Sequence, residues 1–269
     1  MTSPQAPRTL LTDLLRCVGL LTRLRVPSRW FDGFDGRYDR AAWAFPVVGC
    51  VVGSLGAAAM VGSWLVGAPP LLASTLAVAV QAAVTGALHE DGLADFADGL
   101  AGDDAVRRIE IMRDSAVGVF GMLALVLAVL ARVAALSALL TAFGAKACIL
   151  LVATAAASRA AMLWPWHRTP PASATGSAAA SGRPDRTATG SALLVGSILL
   201  AACVVVVPSF SLLLAFMGGA LVALAMTRYA TLRLGGHTGD VLGATCILAE
   251  VAILAGLATA TGGYPTVPL

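Results

Sequence analysis

The chain has 269 residues, 58% of them hydrophobic and only 12% charged, with a mean hydropathy of +0.84. A soluble domain ordinarily carries about 25% charged residues, which argues against a water-exposed globular fold. The net charge of +3 says little by itself, and no nucleic-acid partner is expected.

Residues 1–7 are polar and show no signal-peptide pattern. The run 10–24 is apolar but interrupted by Asp13, Arg16 and Arg23, so it reads as an amphipathic helix on the inner membrane face. Arg29-Trp30-Phe31-Asp32-Gly33-Phe34 suits the same interface. Apolar stretches able to cross a bilayer, which takes about 20 helical residues, follow near 42–66, 70–88, 117–141, 146–164, 191–207, 210–227 and 241–261. The expected fold is all-α, a polytopic integral membrane bundle of about seven transmembrane helices with an N-terminal interfacial helix. Residues 1–41 form the interfacial segment, 42–261 a single transmembrane catalytic domain, and 262–269 a short tail.

The arginines set the orientation. Arg8, Arg16, Arg23, Arg25, Arg29, Arg37 and Arg40 precede the first span, and further arginines occupy the loops 89–116, 165–190 and 228–240. The connections near 67–69, 142–145 and 208–209 carry no charge, apart from Lys146 at the edge of one. The positive-inside rule then places the N-terminus and every arginine-bearing loop on the cytoplasmic side of a bacterial cytoplasmic membrane, with the C-terminus outside. The Ala, Ser, Thr and Gly-rich segment 172–190 is either an inert linker or a lid over substrate. Cys17, Cys50, Cys148, Cys203 and Cys246 lie far apart and read as packing residues.

The chemistry gathers at four places. His89-Glu90-Asp91-Gly92-Leu93-Ala94-Asp95-Phe96-Ala97-Asp98-Gly99 sets three aspartates at i, i+4 and i+7, within a helical stripe about 60° wide. Like charges on one stripe repel; a compensating cation is needed, and for clustered carboxylates the natural candidate is Mg²⁺. Gly92 and Gly99 would let a diphosphate approach the backbone. Arg107 and Arg108 offer planar forks matched to phosphate oxygens, although flanking charge alone would justify them. Asp114, with Ser115 beside it, is a further ligand or a base. Gly235-Gly236-His237-Thr238-Gly239-Asp240 forms a turn able to bind a phosphate edge and complete the metal site. Glu250, Arg159 and Arg132 lie within spans, where ionised groups need partners; Glu250 or the acidic stripe could partner Arg159, which could also snorkel to the interface, and none is evident for Arg132.

These strings are similar to a known family. His89-x-Asp91-Gly92-Leu93-Ala94-Asp95-x-x-Asp98-Gly99 and Arg108-x-x-x-Met112-x-Asp114-Ser115-x-x-Gly118-x-x-Gly121 resemble cobalamin synthase, adenosylcobinamide-GDP ribazoletransferase. Arg25-Val26-Pro27, Phe45-Pro46-x-x-Gly49, Ser158-Arg159 and Gly236-x-Thr238-Gly239-Asp240-x-x-Gly243 with Glu250 follow the same pattern in order. Glu90 departs from it, standing where the family often has an apolar residue, and 165–190 has no match.

The resemblance implies a transfer in which a ribose hydroxyl of α-ribazole, or of its 5′-phosphate, attacks adenosylcobinamide-GDP and GMP leaves, with Mg²⁺ as cofactor. Asp91, Asp95, Asp98 and Asp240 would hold metal, and Asp98 or Asp114 would accept the hydroxyl proton. His89, Arg107, Arg108, Ser115, Arg159, His237, Thr238 and Glu250 would bind substrate, the arginines holding the departing phosphate. A homodimer is a further expectation, by analogy. Two rivals remain: a CDP-alcohol phosphatidyltransferase, whose Asp-x-x-Asp-Gly-x-x-Ala-Arg pattern begins at Asp95 but breaks at Gly102-Asp103, and a transporter, which would want midplane charges and repeated halves.

Overall fold

The computed structural model describes residues 9–263, so Arg8 and the readings made for 1–7 and for the C-terminal tail lie outside the described residues. The described residues form α-helices and short helical turns, with one isolated β-bridge between Pro171 and His237.

Helix α1 (Leu10–Leu21) opens at Thr9, whose hydroxyl accepts from the Thr12 N–H. It is amphipathic as expected: Leu10 and Leu11 are exposed, while Cys17 and Leu21 pack inward. Arg16 does not face water. It donates to the Trp30 carbonyl at 2.9 Å and lies over the Phe34 ring, stapling the 28–34 turn to the helix.

Helices α2 (Phe45–Leu65) and α3 (Pro70–Thr85) both begin with proline in the first turn, where its missing N–H costs nothing. The expected span 70–88 stops at Thr85. Gly86 (φ +64°) and Ala87 (φ +56°) turn the chain left-handed, and α4 (Leu88–Gly99) departs at 90° to α3. At twelve residues α4 is too short to cross a bilayer, and it carries the aspartates outside the spans.

Helix α5 (Ala105–Met112), capped by Asp104, leads to α6 (Val119–Phe143). Then come α7 (Ala147–Ala161), α8 (Leu163–Arg168), α9 (Ser177–Ala180), α10 (Arg186–Ala201), α11 (Ser209–Tyr229), a π-turn over Ala230–Leu234, and α12 (Gly239–Ala258). By length and composition five helical stretches can cross a membrane, or six if the bent α3–α4 pair is one span. One of them, Val119–Arg168, runs for 50 residues, about 75 Å at 1.5 Å per residue and more than twice a bilayer core. Gly144 (φ +55°) breaks it, so α6 and α7 are separate helices. The seven expected spans overlap α2, α3, α6, α7, α10, α11 and α12 with shifted ends, but α3 and α7, at 16 and 15 residues, are each shorter than the roughly 20 that a crossing takes.

Helix α7 is the axis of the bundle. Twelve of its fifteen residues are buried, and α2, α10 and α12 pack around it. Outward-facing leucines, valines and phenylalanines on α6 and α11 present an apolar band instead. The protein is a polytopic helical membrane bundle.

Candidate active site

The aspartates occupy three different environments on α4. Asp91 is exposed, Asp95 half-buried and Asp98 buried. Helix α4 crosses α12 where two glycines meet: a Cβ on Gly92 would lie 3.2 Å from the Gly243 Cα and from the Asp240 Cα. This corrects the expectation for Gly92, which serves helix contact rather than a diphosphate. Gly99 likewise faces the Met112 side chain. The crossing sets Asp240, in the first turn of α12, beside the stripe. Burial, together with Asp91, Asp240 and Asp98, pushes the Asp95 carboxyl up to about 6.

Asp98 has a structural task. Its two oxygens accept from the Gly118 N–H at 2.7 Å and the Gly121 N–H at 2.8 Å, closing the N-terminus of α6. A Cβ on either glycine would collide with that carboxylate, which accounts physically for the Gly118-x-x-Gly121 spacing. Both oxygens of the carboxylate are thereby committed to holding α6.

Beside Asp240 lies a cleft of ≈ 220 Å³ between α5, the segment 173–178 and the N-terminus of α12. Arg113 and Met112 form one wall, Ser173, Thr175 and Gly176 another, and His237 to Asp240 the floor. Thr238 caps α12, accepting from the Val241 N–H at 3.2 Å. The end of a 20-residue helix therefore opens into the cleft, where its N–H groups favour an anion. The 165–190 segment is no inert linker. Ala172 N–H donates to the His237 carbonyl and His237 N–H to the Pro170 carbonyl, each at 2.8 Å, so the segment is pinned to the floor as a wall. His237 is buried, its Nδ1 3.1 Å from both the Thr169 hydroxyl and carbonyl oxygens. Burial pushes its imidazole below the usual range, against the raising effect of the Thr169 carbonyl.

A second polar cluster lies inside the bundle. Arg132 of α6 is within 2.9 Å of Glu250 on α12 and of Glu90 on α4, and it donates to the Gln81 side-chain oxygen on α3 at 3.0 Å. Arg159 of α7 reaches the other Glu250 oxygen at 3.2 Å, as expected, and also the Ala155 carbonyl and the Ser158 hydroxyl. His89 is buried next to these arginines, and neither ring nitrogen has a hydrogen-bond partner. Two arginines and two glutamates balance in charge, tying five helices together.

The other expected residues are more dispersed. Arg107 pairs with Glu110 on the exposed face of α5, at 3.2 Å. Arg108 is half-buried near Tyr229. Asp114 and Ser115 are exposed in the α5–α6 loop, where the Asp114 carboxylate accepts from the Ala116 N–H. The cysteines are free, as expected. Sequence reasoning passed over Arg113, although it stands between two residues it had singled out, and Gln81, a lone amide in an apolar span. It noted Glu90 only as a departure, and Glu90 is the partner that Arg132 lacked.

Among the described residues no three His, Cys, Asp or Glu side chains converge closely enough to hold a metal ion by themselves. The donor set is still chemically suited to Mg²⁺, a hard cation usually bound by one or two carboxylates, several waters and substrate phosphate oxygens. Burial first, and then the charges of Asp91, Asp240 and Asp98, raise the Asp95 carboxyl, and a cation placed there would relieve both.

Residues 13–258 match the family model described as Cobalamin-5-phosphate synthase. The chain belongs to this family. It is 47% identical over 254 residues to the adenosylcobinamide-GDP ribazoletransferase of Sinorhizobium medicae, an alignment spanning 92% of this chain and 96% of that protein. The same identity holds over 264 residues with the adenosylcobinamide-GDP ribazoletransferase of Rhizobium meliloti (94% and 98%), and 42% over 253 residues with that of Rhizobium etli strain CIAT 652 (92% and 96%). No solved structure matches. Membership of the cobalamin-5-phosphate synthase family makes the chain an enzyme and leaves the phospholipid-synthase and transporter readings without support.

Proposed function

We propose that this chain joins α-ribazole, or its 5′-phosphate, to adenosylcobinamide-GDP with release of GMP, using Mg²⁺, on the cytoplasmic face of a bacterial cytoplasmic membrane. The observation that carries the reading is the α4–α12 crossing. It sets Asp240, which lines a cleft floored by a helix N-terminus and flanked by Arg113, near the Asp91 and Asp95 carboxylates of α4.

In the proposed reaction a ribose hydroxyl oxygen attacks the phosphorus nearest the cobinamide. A new P–O bond forms, the bond from that phosphorus to the bridging oxygen breaks, and the electron pair leaves with GMP. Asp91, Asp95 and Asp240 are the residues that would hold Mg²⁺, with Asp98 behind them; bound there, the ion neutralises charge on the diphosphate oxygens. The α12 N-terminus and Arg113 would orient the diphosphate. The attacking hydroxyl must lose a proton, and the half-buried Asp95 carboxylate, beside the position the ion would take, would accept it. Asp95 is therefore favoured as base over Asp98, whose oxygens hold α6, and over Asp114, which caps its own loop.

The test is GMP release by detergent-purified protein given adenosylcobinamide-GDP, α-ribazole and Mg²⁺, beside EDTA and Asp95→Asn controls. Release requiring all three additions and collapsing in both controls is expected. No release from folded, lipid-supplemented protein would overturn the function. Normal release by Asp95→Asn would keep the function and overturn the site.

A further inference from the structure

We propose that the groove between α10 and α11 binds an anionic phospholipid, with an acyl chain along its apolar floor and the phosphate held by Arg168 and Arg186. The two helices diverge over α7 and leave a groove of ≈ 290 Å³. Its lining combines large apolar side chains such as Phe216 and Ile253 with small ones, Ala157, Ala160, Gly219 and Ala223 among them, where bulkier residues would have closed the gap. The groove borders the apolar band: Leu224 of its lining is more than half exposed, as are Leu194 on α10 and Leu221 on α11.

At the arginine-bearing end the groove passes into a hollow of ≈ 470 Å³, and Trp164 and Leu193 line both. The chemistry changes there. Arg168, stacked over the Trp164 ring at 5.4 Å, and Arg186, the first residue of α10, border the hollow with His167 and Thr189. Neither arginine pairs with a carboxylate among the described residues; the nearby Asp185 spends an oxygen on the Ala188 N–H, capping α10. His167 is turned to the Pro184 carbonyl at 2.9 Å. The Thr189 hydroxyl is buried and has no partner, and it belongs to the wall of this hollow.

An apolar slot open to lipid and ending in two unpaired guanidinium groups and a spare hydroxyl is complementary to one class of molecule. That molecule has a hydrocarbon tail and a negatively charged phosphate head. Basic pockets between spanning helices hold such headgroups, and tryptophan marks the headgroup level. A soluble phosphate would leave the apolar slot unexplained, and a neutral lipid would leave the arginines unexplained. The site lies apart from the aspartate cleft, and the inference stands whatever that cleft catalyses.

The experiment measures melting temperature, and the lipid retained in native mass spectra, for protein in a neutral detergent titrated with phosphatidylglycerol or phosphatidylcholine. Two arginines are worth together about a thirtyfold preference for the anionic lipid. The double variant Arg168→Gln/Arg186→Gln is expected to reduce that preference to within about twofold. Ala220→Leu, an exposed position, should fill the slot and weaken both lipids alike. Arg233→Gln, an arginine of another loop, should change nothing. The proposal is overturned if the double variant keeps the preference, if Arg233→Gln removes as much of it, or if glycerol phosphate alone stabilises the protein as well as phosphatidylglycerol does.

Discussion

Arg132 and Glu90 approach within 2.9 Å across the contact between α6 and α4, and Arg132 reaches Glu250 with the rest of its guanidinium. The acidic helix is thereby bound to α6 and α12 by a buried charge network, and to α6 by Asp98 as well. Removing one member of a buried pair leaves an uncompensated charge, at a cost of about 3–5 kcal/mol. Glu250→Ala strands Arg159 and leaves Arg132 only Glu90 and Gln81, and should sharply reduce recovery of folded protein from membranes. Glu90→Leu leaves Arg132 with Glu250 and Gln81 and should cost less. Arg132→Met combined with Glu90→Leu restores charge balance, so its loss in melting temperature should be smaller than the sum of the single losses. Additive losses would remove the network from the account.

Asp98 and Asp95 should separate cleanly in kinetics and stability. Asp98→Asn removes the charge closing the N-terminus of α6 and should cost about 1–2 kcal/mol, read as a lowered melting temperature, with a modest fall in kcat. Asp95→Asn should leave the melting temperature unchanged or higher, since a repelled charge is lost, while kcat falls by about a hundredfold or more. The opposite pattern would return the base to Asp98.

The raised Asp95 carboxyl also predicts a pH dependence of stability. Between its ordinary value near 3.8 and about 6 the metal-free folded protein binds more protons than the unfolded chain. Stability contributed there is therefore lost as pH rises through that window. Mg²⁺ should restore it, raising the melting temperature more at pH 7.5 than at pH 5. Apparent Mg²⁺ affinity should weaken by up to about tenfold per pH unit below 6. A Mg²⁺ effect independent of pH would detach the metal from this cluster.

Gly92 sets the approach of α4 to α12. Gly92→Val should force the helices apart, costing about 1–3 kcal/mol and displacing Asp240 from the stripe, with loss of activity beyond the loss of folded protein. Gly62→Ala, where a Cβ meets nothing within 4 Å, is the matched control and should be neutral or slightly stabilising. Equal behaviour of the two variants would show that the glycine contact is not what seats Asp240.

Much of this was legible in the sequence because periodicity and charge survive folding. The aspartates at i, i+4 and i+7 do share one helix, and the apolar runs do become bundle helices. Their inequality was not legible. Asp98 is spent on amides 20 and 23 residues away, a contact no local pattern announces. The 90° turn after α3 was hidden for a related reason, because Ala87 takes a left-handed conformation that its identity does not favour. Repetitive composition made 172–190 read as a linker or lid, when backbone hydrogen bonds to the glycine-rich turn, invisible in side-chain chemistry, make it a wall.

The position of Glu250 in the last helix has a consequence for biogenesis. During synthesis α6 and α7 enter the bilayer with Arg132 and Arg159 more than ninety residues before their shared counter-ion has left the ribosome. Until α12 inserts, Arg159 waits without a counter-ion while Arg132 has only Glu90, and the aspartate stripe lacks Asp240. Translation arrest before Glu250 thus yields a marked chain, recognisable to quality-control proteases by its unpaired charge. The pairing of the buried charges and the seating of Asp240 beside the stripe arrive together, with one helix.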